Sequence, residues 1–147
     1  ALTESGIPMR FLNCCLVLFC LVLSVPSFAD SNRVQQVEQF VAAFNDHNAE
    51  RMAQYVTEDV QWLSVNGDKI TIETSGKENL VAAMSGYFKS CPSCQSQLED
   101  FTVLGSRVSV VEEASWRRNG ELRSQKSLAV YEFFDNLIHR VYYFPAE

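Results

Sequence analysis

Few residues in this chain have the types and spacing for chemistry. Two cysteines stand as Cys91-Pro92-Ser93-Cys94, the histidines are His47 and His139, and two carboxylates stand in tandem at Glu112-Glu113. The cysteine pair admits three readings. In an oxidising compartment it is a tight local disulfide. As a redox pair it would open a helix after a strand, which lowers the first thiol's pKa. Here it follows a helical pattern and precedes a strand, the wrong context. As half a zinc site it would need a dimer mate to complete it, because one such pair without a second is a weak signal. The disulfide is therefore the expected state. The tandem glutamates lie in a strand-like run, so one carboxylate points to each face. His47 sits in the polar stretch Asn45-Asp46-His47-Asn48 and is expected to be exposed.

Other chemistries lack their parts. No serine has a histidine at a recognisable spacing, and no Gly-x-Ser-x-Gly elbow is present. There is no glycine-rich phosphate loop, no acidic calcium loop and no metal-ligand pattern beyond the cysteine pair, so no cofactor or metal is implied. The chain carries a formal charge of -6, and its densest basic cluster is Arg117-Arg118, which argues against nucleic acid as a partner.

An address precedes the fold. From Met9, one positive charge at Arg10 is followed by an apolar run from Phe11 to Val25 and then Ser27-Phe28-Ala29. This is the three-part pattern of a secretory signal peptide, with the cut expected between Ala29 and Asp30. The run is short for a span, which needs about 20 residues, and Pro26 breaks a helix where an anchor would continue. The membrane is a partner only if this leader stays uncleaved. A lipoprotein cut is disfavoured because Phe19 precedes Cys20 and Asn13 precedes Cys14. Residues 1–8 stand upstream of Met9, the expected start methionine. The expected product is residues 30–147, a single domain, periplasmic or secreted, which keeps its net charge of -6 because Glu4 and Arg10 leave together. Cys14, Cys15 and Cys20 leave with the leader.

The elements that position the remaining residues follow from periodicity. Val34, Val37, Phe40, Val41 and Phe44 form one face of a helix, with Asp30 or Ser31 able to cap it. Asn48 can cap a short second helix ending near Val56. Val60–Val65 and Lys69–Thr74 read as a hairpin about Asn66-Gly67-Asp68. Ser75-Gly76-Lys77-Glu78 reads as a capping box before a third helix carrying Leu80, Val81, Met84, Tyr87 and Phe88. Strand-like runs then span Leu98–Leu104, Val108–Trp116, Arg123–Phe134 and Leu137–Phe144, with Asn119-Gly120 as a hairpin signal. Helices first and a meander of long strands after them predict an α+β domain: a curved antiparallel sheet wrapped around three N-terminal helices, with a cavity between them.

Val37–Asn45, the run Tyr55-Val56-Thr57-Glu58-Asp59-Val60-Gln61-Trp62, the third-helix start at Ser75–Glu78 and the closing Leu137–Phe144 together resemble the nuclear-transport-factor-2-like superfamily. Its SnoaL-like cyclases and ketosteroid isomerases share that opening. The resemblance covers the whole mature chain and implies a cone-shaped, cystatin-like fold and a homodimer formed through the open sheet face. It says little of function, because the fold hosts enzymes, binding modules and accessory domains.

Ketosteroid isomerases use a carboxylate base and an oxyanion hole of tyrosine and protonated aspartic acid. Alignment to them puts Phe40, Ser64 and Ala129 at those three positions, so isomerisation of that kind is not expected. The same alignment turns Phe40, Phe44, Trp62, Ser64, Glu112, Trp116, Tyr131, Arg140 and Tyr142 inward, as an aromatic pocket with two ionisable groups. His139 alternates with Arg140 and falls on the helix side, away from that pocket. Three functions fit. The first is binding of a small hydrophobic molecule without chemistry. The second is acid/base chemistry on a carbonyl compound of isomerase, cyclase or hydratase type, with Glu112 moving the proton and Arg140 steadying negative charge. The third is an interaction module whose cone is filled, with Glu112 and Arg140 paired across neighbouring strands.

Overall fold

The computed structural model describes residues 28–145. The leader with its three cysteines, apart from its last two residues, lies outside the described residues. Helix α1 (Phe28–Asn45) is followed by a short α2 (Ala49–Met52) and a 3₁₀ turn at Ala53–Tyr55. The hairpin β1 (Val56–Asn66) and β2 (Lys69–Ser75) leads into α3 (Lys77–Ser90), then β3 (Gln95–Leu104), β4 (Arg107–Arg118), β5 (Glu121–Phe134) and β6 (Leu137–Phe144). The six strands form one sheet in the order β2-β1-β6-β5-β4-β3, antiparallel except where β1 runs parallel to β6. The α+β architecture expected from the element order is the one observed. No helix among the described residues is long and apolar enough to cross a membrane.

The core lies between α1 and the inner face of the sheet. Val37, Phe40, Val41 and Ala43 of α1 are buried against Val108, Val110, Ala129, Tyr131 and Val141. Phe40 meets Tyr131 edge-on, with ring centroids 6.1 Å apart. Burying several such side chains at about 25 cal/mol per Å² of apolar surface is the main force holding the helix in the cone.

Three local expectations are corrected. Helix α1 is already formed at Phe28, so Asp30 and Ser31 lie inside its first turns rather than at a cap. Helix α3 is entered through Gly76 at φ 90° without a side-chain cap; Ser75 ends β2, and the capping box does not form. The left-handed φ at Gly76 suits a residue without Cβ, so backbone geometry makes this turn. The short helix ends at Met52, and β1 begins at Val56, earlier than the apolar run suggests.

Candidate functional site

Phe40, Val41 and Phe44 of α1 form one wall of a cavity of about 260 Å³. Trp62 of β1, Met84 and Tyr87 of α3, Glu112 of β4 and Tyr143 of β6 close it. The walls are largely aromatic: Trp62 lies between Phe40 at 6.3 Å and Tyr143 at 6.5 Å, and Phe44 lies 5.9 Å from Tyr87, all as ring centroids. The space is somewhat smaller than a drug-sized pocket, which starts near 300 Å³.

Glu112 is the ionisable carboxyl on that wall. It is reached because Val108, Val110 and Glu112 alternate inward along β4, opposite Tyr131, Ala129 and Ser127 of β5. Ser96 of β3 donates its hydroxyl hydrogen bond to Glu112 Oε1, and Tyr131 donates to Oε2 across 3.4 Å. No Lys, Arg or His lines the cavity. Burial pushes the Glu112 carboxyl above its ordinary range, and the bonds from Ser96 and Tyr131 oppose that only in part. Burial likewise raises the phenols of Tyr87, Tyr131 and Tyr143, with the nearby Glu112 charge acting in the same direction. All three stay neutral across the physiological range.

Of the aligned pocket residues, Phe40, Phe44, Trp62 and Glu112 line the cavity. Tyr131 is wholly buried behind Glu112. Ser64 pairs beside Tyr143 on the same face but outside the lining, and Trp116, half-buried, lies four residues beyond Glu112 on its face, paired with Arg123.

Arg140 and Tyr142 are corrected. The β5–β6 pairing passes from Phe133↔Ile138 to Glu132↔Arg140, which leaves His139 as an extra residue in β6. That bulge reverses the alternation, so Val141 and Tyr143 turn inward and Arg140 and Tyr142 turn out. Arg140 Nη1 bonds Glu132 Oε1 at 3.0 Å and its Nε bonds Gln61 at 3.2 Å. It neither reaches the cavity nor pairs with Glu112. Tyr143, in its place, supplies the β6 wall.

His47 is half-buried rather than exposed. It stacks on Phe88 with ring centroids 4.7 Å apart, and its Nε2–H donates to the Cys94 carbonyl at 2.9 Å. His139 Nδ1 lies 3.1 Å from Thr57 Oγ1 and 3.3 Å from Asp59, in an open groove away from the cavity. Cys91 and Cys94 are joined as a disulfide just after α3, with Cα atoms 5.5 Å apart. Its Cys94 sulfur lies 3.2 Å from the Tyr87 hydroxyl, so the loop touches the cavity wall. Among the described residues, no cluster of three or more His, Cys, Asp or Glu could hold a metal.

Val41, Met84, Tyr87 and Tyr143 of the lining, and Ser96 behind it, were not among the site residues expected from the sequence. Ser96 precedes the apolar run that marks its strand; only its place in the alternation Cys94, Ser96, Leu98 hints at its inward side chain.

Residues 37–141 match the SnoaL-like domain family, and the chain belongs to it. No curated protein matches the chain by sequence. Solved structures similar to it include a cystatin-fold protein from Novosphingobium aromaticivorans, 19% identical over 76% of this chain and 96% of that one, with a TM-score of 0.66. A putative SnoaL-like polyketide cyclase from Jannaschia is 14% identical over 82% of this chain and 89% of its own, with a TM-score of 0.68. TerC, co-crystallised with polyporic acid, is 14% identical over 78% of this chain and 92% of its own, with a TM-score of 0.66. At these identities the likeness establishes the fold alone.

Proposed function

We propose that this protein binds a small, mainly apolar and uncharged molecule inside the cone, with Glu112 donating a hydrogen bond to its carbonyl or hydroxyl oxygen. One observation carries this reading: Glu112 is buried on the wall of an aromatic cavity that no cationic side chain lines. Burial favours the protonated form of this carboxyl, and in that form it is a donor. An anionic ligand would meet no compensating charge, whereas a neutral acceptor satisfies the buried O–H. TerC, crystallised with an organic ligand, lends support to a pocket use of the fold.

The same carboxyl favours a second reading, acid/base chemistry on a carbonyl compound, in keeping with the polyketide-cyclase neighbours. As negative charge develops on the carbonyl oxygen, Glu112 passes its proton to it. Ser96 and Tyr131, already donating to the carboxyl, then steady the carboxylate left behind. Arg140 takes no part.

Calorimetry with three size-matched probes, 2-acetylnaphthalene, 2-naphthoate and 2-naphthylmethylamine, tests the binding reading. The ketone is expected to bind, the carboxylate about tenfold or more weaker, and Glu112→Leu to lose about tenfold toward the ketone, the worth of one net hydrogen bond. Failure of all three probes to bind overturns the reading. We further propose an exported homodimer. The leader pattern of residues 9–29 and the disulfide support export; exposed Leu122 and Leu128 on the outer sheet face support pairing there.

A further inference from the structure

Helix α1 ends at Asn45, and the side chain of that residue performs the work of a missing strand. Strand β3 is at the edge of the sheet, so the outward backbone groups of Ser96 have no neighbouring strand to pair with. Asn45 meets both: its Nδ2 donates to the Ser96 carbonyl at 2.8 Å, and its Oδ1 accepts from the Ser96 N–H at 2.7 Å. Gln95 adds a third tie, donating from Nε2 to the Asn45 carbonyl at 3.0 Å. Satisfying the buried backbone in this way fixes where the Ser96 Cβ points. Ser96 is only 3% exposed, and its hydroxyl donates to Glu112 Oε1.

We infer that Ser96, clamped by Asn45, is the positioning residue that holds Glu112 with Oε1 as an acceptor and its acidic proton on Oε2. This deepens the ligand-donor role of Glu112 and rests on that reading. The alternative rotamer would turn the acidic proton toward Ser96, where it is spent inside the protein. With Oε1 already accepting, the carboxyl keeps its O–H for another partner. Tyr131 donates to Oε2 across a long 3.4 Å, so it does not take up the acidic O–H.

The groups facing Glu112 keep the test clean. Helix α1 presents Phe40 and Phe44, α3 presents Tyr87, β5 presents Tyr131 and β6 presents Tyr143. None of these carries charge below the phenol range, and burial raises all three phenols further. Glu112 is therefore the group on this wall that titrates below the phenols. A hydrogen bond donated to a carboxylate favours the ionised form, so the Ser96 bond works against burial.

The experiment follows the Glu112 side-chain carboxyl by carbon-13 NMR across pH in the ligand-free, labelled protein, assigned with Glu112→Gln. Ser96→Ala is expected to move the midpoint upward, because the bond favouring ionisation is gone. Ser96→Thr, which keeps the hydroxyl, should return it toward the native value, and Asn45→Ala should move it in the same direction as Ser96→Ala. In parallel, ketone affinity at low pH should fall several-fold in Ser96→Ala although Glu112 is fully protonated. An unmoved or lowered midpoint in Ser96→Ala, or equal midpoints for alanine and threonine, overturns the inference. If Ser96→Ala fails to fold, Ser96→Thr against Asn45→Ala gives the same comparison. The NMR needs no ligand. A protein that shows these midpoints and binds no probe would thus retain the Ser96 role and lose the ligand reading instead.

Discussion

The Tyr131 hydroxyl donates to Glu112 Oε2 across 3.4 Å, and both groups sit where water scarcely reaches. Burial makes the folded state hold the Glu112 proton more tightly than the unfolded chain does. A carboxyl raised in this way contributes stability that is fully present below its unfolded pKa and lost as pH rises through the folded one. Glu112→Gln abolishes the titration. Relative to the native protein it should therefore gain stability as pH rises above the ordinary carboxyl range. Urea unfolding at a series of pH values checks this. Native and variant curves running parallel above that range would show that Glu112 ionises without cost.

Arg140 offers the opposite case. Its guanidinium bonds Glu132 on the outer face, where Arg107 also holds the same carboxylate. Burial alone would push Glu132 up, but its bonds to Arg107 and Arg140 keep it below its ordinary value. Arg140→Ala leaves Arg107 in place, so the expected loss is about 1 kcal/mol or less. Ketone affinity should stay within about twofold of native, since no new charge enters the cavity. A large loss of affinity measured by calorimetry would return Arg140 to the site and refute the outward face of β6.

These two residues also show what a sequence can and cannot disclose. Glu112 was legible because β4 pairs with β5 without a break, so alternation carries its face unchanged from Val108 to Trp116. Arg140 and Tyr142 were misplaced by one bulged residue, His139, since a single insertion inverts every later side chain. Nothing local to His139 announces a bulge in a strand that lies between β5 and a parallel β1. The helices and turns were readable from apolar period and Asn-Gly signals. The Ser75 capping box was not, because the chain makes that corner with backbone at Gly76. Ser96 depends on a contact with Asn45 across 51 residues, which no local pattern encodes.

The disulfide makes a separate prediction. Closing a four-residue loop removes little freedom from the unfolded chain, worth about 2 kcal/mol by the loop-entropy relation. Reductant should lower the urea midpoint accordingly, and Cys91→Ser with Cys94→Ser should match reduced native protein. The double variant should also loosen Tyr87, whose hydroxyl meets the Cys94 sulfur. Intact-mass spectra showing no hydrogen uptake on reduction would mean that the thiols were free in the purified protein.

The two tryptophans report on where a ligand sits. Trp62 stands on the cavity wall between Phe40 and Tyr143, whereas Trp116 lies beyond the lining. A ketone entering the cavity lies against the Trp62 indole and should quench or shift its emission. Trp116→Phe is expected to keep that response nearly whole. Trp62→Phe should abolish it and, by thinning the aromatic wall, weaken affinity by about three- to tenfold, the equivalent of a contact of about 0.5–1.5 kcal/mol. A response that vanishes in Trp116→Phe and survives in Trp62→Phe would move the binding site to the far end of β4. Glu112 would then be a buried carboxyl beside an unused space, and the cavity reading would fall with it.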